Sequence, residues 1–251
     1  MTRQFVVVYE ADADFRTATE LADRVLSERI DWLEAELLDS QRIWVGATAS
    51  GRLLAWKYLP ELAREAGFAV RGHFNNETGA ADAKAARRAI EYIRNTLPEV
   101  SALVLIRDSD NDLRRRKGLN QARDADRSGL PIVLGLAIHE RESWVLSGFV
   151  AEAKNDTELE RLREACVELG FDPTTTPHEL TATKDDQAKR SPKRVLRKLS
   201  GDDRDRERRC WVEASLEQLR ENGGRNGLAE FLKEIETKLV PLLTGRTGTD
   251  G

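Results

Sequence analysis

Acidic residues recur at the ends of the apolar runs of this chain. Glu10 follows Phe5-Val6-Val7-Val8-Tyr9, with Asp14 four residues further on. Asp108, Asp110 and Asp112 follow Ala102-Leu103-Val104-Leu105-Ile106, and Glu140 and Glu142 follow Pro131–Ile138. Several carboxylates brought together cannot all stay ionised without a counter-charge, so they take up protons or bind a hard cation. Oxygen donors without Cys or His suit magnesium or manganese. Such an ion holds a phosphate and polarises the attacking and leaving oxygens of a displacement. The plainer alternative makes each acid a helix cap or a solvated loop residue, with Asp108 and Asp112 capping a helix at Leu113. The Asp-x-Asp directly after a continuous apolar strand, with a strand-terminal Glu upstream, favours the site.

The elements that must position these acids read as an α/β alternation. The run ending at Tyr9-Glu10 is a strand. Phe15, Ala18, Ala22, Leu26, Ile30, Leu33 and Leu37 then recur at helical steps of three and four. A short strand is expected at Ile43–Ala47, a helix near Leu59–Ala66 and a strand over Phe68–Phe74. Ala80–Leu97 is an alanine-rich helix stopped by Pro98. Ala102–Ile106 and Pro131–Ile138 are unbroken enough to be strands covered on both faces of a parallel sheet. Helices are expected from Leu113 to about Arg127 and over Ser143–Val150. Residues 1–150 thus predict a mainly parallel sheet flanked by helices, in which ligands bind outside the C-terminal strand ends. Beyond residue 150 the pattern is only helical. This predicts a helical, partly basic C-terminal region over 151–243 and a disordered Gly/Thr-rich tail over 244–251.

With 251 residues, 40% of them apolar, the chain can bury one large core or one core and a smaller one. The formal charge of −4 excludes a histone-like cationic binder but allows a local basic patch. The longest apolar run, Leu130–Ile138, is far below the ~20 residues of a membrane helix. The opening Met-Thr-Arg-Gln passes straight into a strand and is not expected to be a signal peptide. Cys166 and Cys210 sit in helical patterns and offer neither a disulfide framework nor a thiolate zinc site. A reduced, cytoplasmic protein is expected. From Lys184 to Arg209 there are 11 basic and 6 acidic residues, a net +5 against −9 for the remainder. Cations of this block, Lys189, Arg190, Arg194 and Arg197 among them, and the run Arg114-Arg115-Arg116-Lys117, are candidates to hold a nucleic-acid backbone. The alternative is a solvated charged face, which the sign alternation of Asp202–Arg209 suits.

These residues resemble the Toprim domain shared by topoisomerases, primases and OLD-type nucleases. Its motifs are a Glu after the first strand, matched by Glu10, and an Asp-x-Asp after a later strand, matched by Asp108 and Asp110. Nuclease branches add a further acid after the next strand. Glu10-x-x-x-Asp14 is similar to the spaced acid pair of OLD-type enzymes. The glycine that usually follows the first Glu is Ala11 here. The stretch Ala137–Gly148 resembles a segment of stand-alone Toprim-like bacterial proteins in which an acid precedes a Trp by two positions, making Glu142 the better match and Glu140 the reserve. Ser191-Pro192-Lys193 fits their Pro-Lys ahead of a short helix. The resemblance covers about residues 4–150, and the remainder only through Pro192-Lys193. Two other Asp-rich patterns do not fit. An EF-hand loop needs Gly and Glu where this chain has Leu113 and Leu119, and haloacid-dehalogenase phosphatases carry Asp-x-Asp after the first strand, where this chain has Glu10.

The resemblance implies a magnesium- or manganese-dependent nuclease. Asp108 and Asp110 would ligate metal with Asp112 as a helper, and Glu142 or Glu140 would complete the set. Glu10 would bind a second ion or act as general base, Asp14 would bind metal directly or through water, and Lys193 would offset developing negative charge. DNA is favoured over RNA as the substrate. An alternative is a partner-gated interaction subunit in a bacterial phage-defence pair. This chain has no Gly-x-x-x-x-Gly-Lys-Ser/Thr, so any ATPase would be a separate protein. A third reading, phosphotransfer on a small nucleotide, needs no long cationic track.

Overall fold

The computed structural model describes residues 2–74 and 77–245 and is a mixed α/β structure. The elements are β1 (Arg3–Val8), α1 (Asp12–Arg29), α2 (Leu38–Gln41), β2 (Arg42–Val45), α3 (Leu59–Glu65), β3 (His73–Phe74), β4 (Glu77–Thr78), α4 (Ala83–Thr96), β5 (Val100–Asp108), α5 (Arg114–Ala125) and β6 (Ile132–Ala137). Helices follow: α6 (Arg141–Leu146), α7 (Asp156–Leu169), α8 (Pro192–Ser200), α9 (Arg204–Val212), α10 (Leu216–Asn222), α11 (Leu228–Lys238) and α12 (Val240–Thr244). The chain forms two compact units. The first takes the chain up to Arg107, Asp112–Gly135 and the chain from Lys233; the second takes Asp108–Asn111 and Leu136–Leu232. Residues 136–150, grouped with the sheet by sequence pattern, therefore lie in the second unit. The tail expected to be disordered falls, from residue 246 on, outside the described residues.

The first unit is built on a four-stranded parallel sheet in the order β2-β1-β5-β6, flanked by helices. Phe5–Val8 and Ala102–Ile106 are fully buried, as continuous apolar strands covered on both faces must be. Val6 lies opposite Leu103 and Val8 opposite Leu105, while Arg3–Val6 pair with Arg42–Val45 on the other side. The chain places β2 on one side of β1 and β5 on the other, so the strand order reverses between β1 and β5. In open parallel sheets that switch point, at the C-terminal strand ends, is where ligands bind. Helices α4 and α5 pack closely because Gly118 carries no side chain: a Cβ there would lie 1.8 Å from the Ala81 carbonyl oxygen. The strand expected over Phe68–Phe74 is reduced to β3, which pairs antiparallel with β4 over two residues each. Only Phe74 of that segment is buried, so the alternation lacks a partner long enough to extend it.

The second unit is helical. Its core stacks Trp144 on Phe231, with ring centroids 5.1 Å apart and planes 16° apart. The Trp144 indole N–H donates to the Asn226 carbonyl at 2.9 Å, and the wholly buried Asn226 amide donates to the Ser143 carbonyl and Ser147 Oγ. Gly227 has φ of +90°, and a Cβ there would lie 2.1 Å from the Leu136 carbonyl oxygen, so only glycine lets the chain pass so close. Arg206 spans the inside of the unit: its guanidinium donates to Glu158 at 2.5 and 3.0 Å and to the Val150 carbonyl at 2.7 Å, and lies over the Phe149 ring.

Candidate functional site

In the first unit, the end of β1 delivers Glu10 into a ring of four charges. Arg107, near the end of β5, reaches Glu10 at 3.0 Å and Asp82 at 3.0 Å. Arg115, in the first turn of α5, lies 4.0 Å from Glu10 and 3.4 Å from Asp82. The Arg107 guanidinium also sits over Trp56, 5.3 Å from the ring centroid. Two carboxylates and two guanidinium groups thus compensate each other. Asp82 holds its place with φ of 64° immediately before α4. Sequence reasoning did not single out Asp82 or Arg107. The available signal was the arginine that interrupts an otherwise apolar strand just before the Asp pair. Asp14 is engaged at the start of α1, where its Oδ2 accepts the Ala11 N–H at 2.8 Å. This is the reciprocal bond of a helix start, without a side-chain cap at Ala11. Asp112 is paired with Arg114 at 2.8 Å, and the hydrogen bonds from Arg114 hold its carboxyl down at about 2. Arg116 and Lys117 follow in the same helix, Lys117 exposed.

In the second unit, three separate stretches meet at the start of α6. Asp108 Oδ1 accepts the Arg141 backbone N–H at 2.9 Å, so the residue that ends β5 takes one of the otherwise unpartnered N–H groups of that helix. Ser109 fixes the intervening loop: its N–H donates to the Ala137 carbonyl, and its hydroxyl accepts the His139 N–H at 2.7 Å. Asp110, Asn111 and His139 all have positive φ. Asn111 donates to the Thr181 carbonyl and Thr183 Oγ1 and meets the His139 ring, which also faces the His178 carbonyl. Asp110 is exposed. Glu140 directly precedes α6 and is 2% exposed. Its Oε1 accepts a hydrogen bond from Lys193 Nζ at 2.6 Å, at the start of α8. Burial pushes the Glu140 carboxyl up, and Lys193 only partly opposes this. The Lys193 ammonium is itself pushed up, because Glu140 with Glu142 and Asp186 outweighs the burial that lowers it. Glu142 pairs with the Arg141 guanidinium at 2.9 Å. Glu142, Asp186, Lys193, Leu196, Arg197 and Glu207 line a depression of about 170 Å³.

Each unit therefore gathers acids, with the chain's own cations among them. Among the described residues, no group of three or more acidic, histidine or cysteine side chains stands ready to hold a metal ion. The basic block is largely spoken for as well. Arg194 reaches Glu168 at 2.7 Å, Lys198 reaches Glu164 at 3.1 Å, Arg206 is buried on Glu158, and Arg209 pairs with Glu152. Arg197 donates to the backbone carbonyls of Lys193 and Asp186, and Arg190 lies over Phe171. Lys189 is exposed. No described helix is long and apolar enough to cross a membrane. No protein-family model matches the chain, and no curated protein or solved structure is similar to it at a significant level.

Proposed function

We propose that this chain is a Toprim-like nuclease that hydrolyses phosphodiester bonds of nucleic acid, with DNA favoured over RNA. The observation that carries the reading is the meeting at the start of α6. Asp108, Glu140 and Lys193 come from stretches up to 85 residues apart in the sequence, and the second unit brings them to one helix end. The switch point of the parallel sheet between β1 and β5 supports the same reading. Lys193 would meet the negative charge that develops on phosphate oxygens, and Asp108 would orient the attacking water. Magnesium or manganese is expected from the resemblance, and no step is derived through it.

The test is cleavage of supercoiled plasmid, single-stranded DNA and tRNA, each with manganese, magnesium or EDTA. Asp108→Asn is the informative variant, because an amide oxygen can still accept the Arg141 N–H while the charge is gone. Ion-dependent cleavage that falls by at least about 100-fold in folded Asp108→Asn is the expected outcome. Undiminished cleavage by that variant would remove the assignment.

A second reading has its own observation. Glu10 and Glu140 are both held by internal cations, as in a form that is inert until another protein rearranges it. In that case the chain is the gated subunit of a phage-defence pair with a separate ATPase. Cleavage would then emerge only on adding that partner.

A further inference from the structure

We propose that Glu140 is a positioning residue: it holds the Lys193 ammonium at the depression lined by Glu142, Asp186 and Arg197 as a fixed cationic contact for a phosphate group, and does not itself ligate a divalent ion. The proposal rests on the phosphodiester reading for the identity of the phosphate, and on geometry for the pair. The two partners are buried unequally. The Glu140 side chain is 2% exposed and the Lys193 side chain 39%, so the carboxylate lies behind the cation and the cation faces outward. Glu140 Oε2 is buried without a hydrogen-bond partner. All of the polar contact that the carboxylate makes is therefore spent on Lys193, through Oε1 at 2.6 Å. A buried carboxylate stripped of its one cation is strongly disfavoured, which keeps Lys193 in place.

The location of Lys193 adds a second reason. It is the second residue of α8, after Ser191, whose side chain accepts the Arg194 N–H, and Pro192, which has no N–H. A cation in a first helical turn faces the positive end of the helix and is disfavoured there. Something must hold it, and the carboxylates do: Glu140 directly and Asp186 at 3.8 Å. Glu142, by contrast, lines the depression itself and pairs with Arg141 rather than Lys193. The two acids of the Glu-Arg-Glu stretch thus have different tasks, and the buried one serves the lysine.

The experiment is limited acetylation of the full-length chain, read peptide by peptide by mass spectrometry, with exposed Lys189 as the internal reference. Lys193 is expected to react about tenfold more slowly than Lys189 in the native protein. Glu140→Gln keeps the oxygen but removes the charge and brings the two rates together. Glu140→Asp keeps the charge on a shorter arm and falls between. Manganese binding, followed by loss of the free-ion paramagnetic resonance signal, is the same in Glu140→Gln as in the wild type. In a cleaving protein, Glu140→Gln lowers kcat and leaves KM near its wild-type value. Equal acetylation rates in the native chain, no change on Glu140→Gln, or a selective loss of manganese binding in that variant would each overturn the proposal. A chain that cleaves nothing on its own yet keeps the acetylation pattern removes the reading of an autonomous nuclease and leaves the pair standing.

Discussion

At the scale of the residue, the Glu158–Arg206 pair is an ion pair buried on both sides, each side chain being 5% exposed. Burial pushes the Glu158 carboxyl up, but the hydrogen bonds and charge of Arg206 more than offset this, so the folded-state value lies below the ordinary carboxylate range. A depressed carboxyl contributes stability that is present above its unfolded value and is lost as pH falls through the folded value. Glu158→Gln leaves Arg206 buried without its counter-charge and is expected to cost about 3 kcal/mol at neutral pH. The variant should also show a shallower loss of stability between pH 5 and pH 3 (about the span in which an unfolded carboxyl titrates) in urea unfolding curves. An unchanged acid dependence would mean that the pair does not govern it.

At the scale of the element, close approach between helices decides more than propensity. Replacing Gly118 by alanine inside α5 would, in an isolated helix, stabilise by up to about 1 kcal/mol. Here the added carbon meets the Ala81 carbonyl oxygen at 1.8 Å, and Asp82 beside it carries the contacts to Arg107 and Arg115. Gly118→Ala is therefore expected to destabilise by at least about 2 kcal/mol in chemical denaturation, with the sign reversed from the helix-propensity effect. This position also shows what was legible in the sequence. The strands β1, β5 and β6 were readable because a buried parallel strand is a continuous apolar run, and α4 because its alanine and isoleucine spacing is helical. The acids after those strands were readable as a pattern. Their partners were not. Arg107 with Glu10, or Lys193 with Glu140, depends on where side chains end after the chain has folded, and no local spacing encodes that. The stretch from 42 to 72 was the least readable, since its elements are short and rest on isolated bridges such as Tyr9 with Ala55.

At the scale of the whole molecule, the charge pattern sets how a polyanion would be held. Of the 11 cations between Lys184 and Arg209, at least five have carboxylate partners from outside the block; besides Lys193, whose ammonium faces outward from Glu140, these are Arg194, Lys198, Arg206 and Arg209. The last four cannot neutralise phosphates without giving those partners up. If the other seven all did so, the logarithm of affinity would fall with the logarithm of salt at a slope no steeper than about −6, against about −8 to −10 for the full set. Fluorescence anisotropy of a labelled oligonucleotide between 50 and 200 mM salt (roughly the range over which such slopes are read) measures this directly. A slope near −10 would show that the internal pairs open on binding.

The first unit also closes late. The last strand of its sheet ends at Ala137, yet the unit also takes in the chain from Lys233 on. Glu234 takes the Arg123 guanidinium at 2.9 Å and the Leu134 N–H on the edge strand β6, Glu236 takes Arg29, and the Leu242 carbonyl takes Arg3. On the ribosome, nearly a hundred residues of the second unit are made before Lys233 emerges. During that interval the growing sheet lacks the carboxylate that accepts the Leu134 N–H of its last strand. The order of synthesis thus leaves the Leu134 N–H of the edge strand without its carboxylate until the chain has been made as far as Glu234.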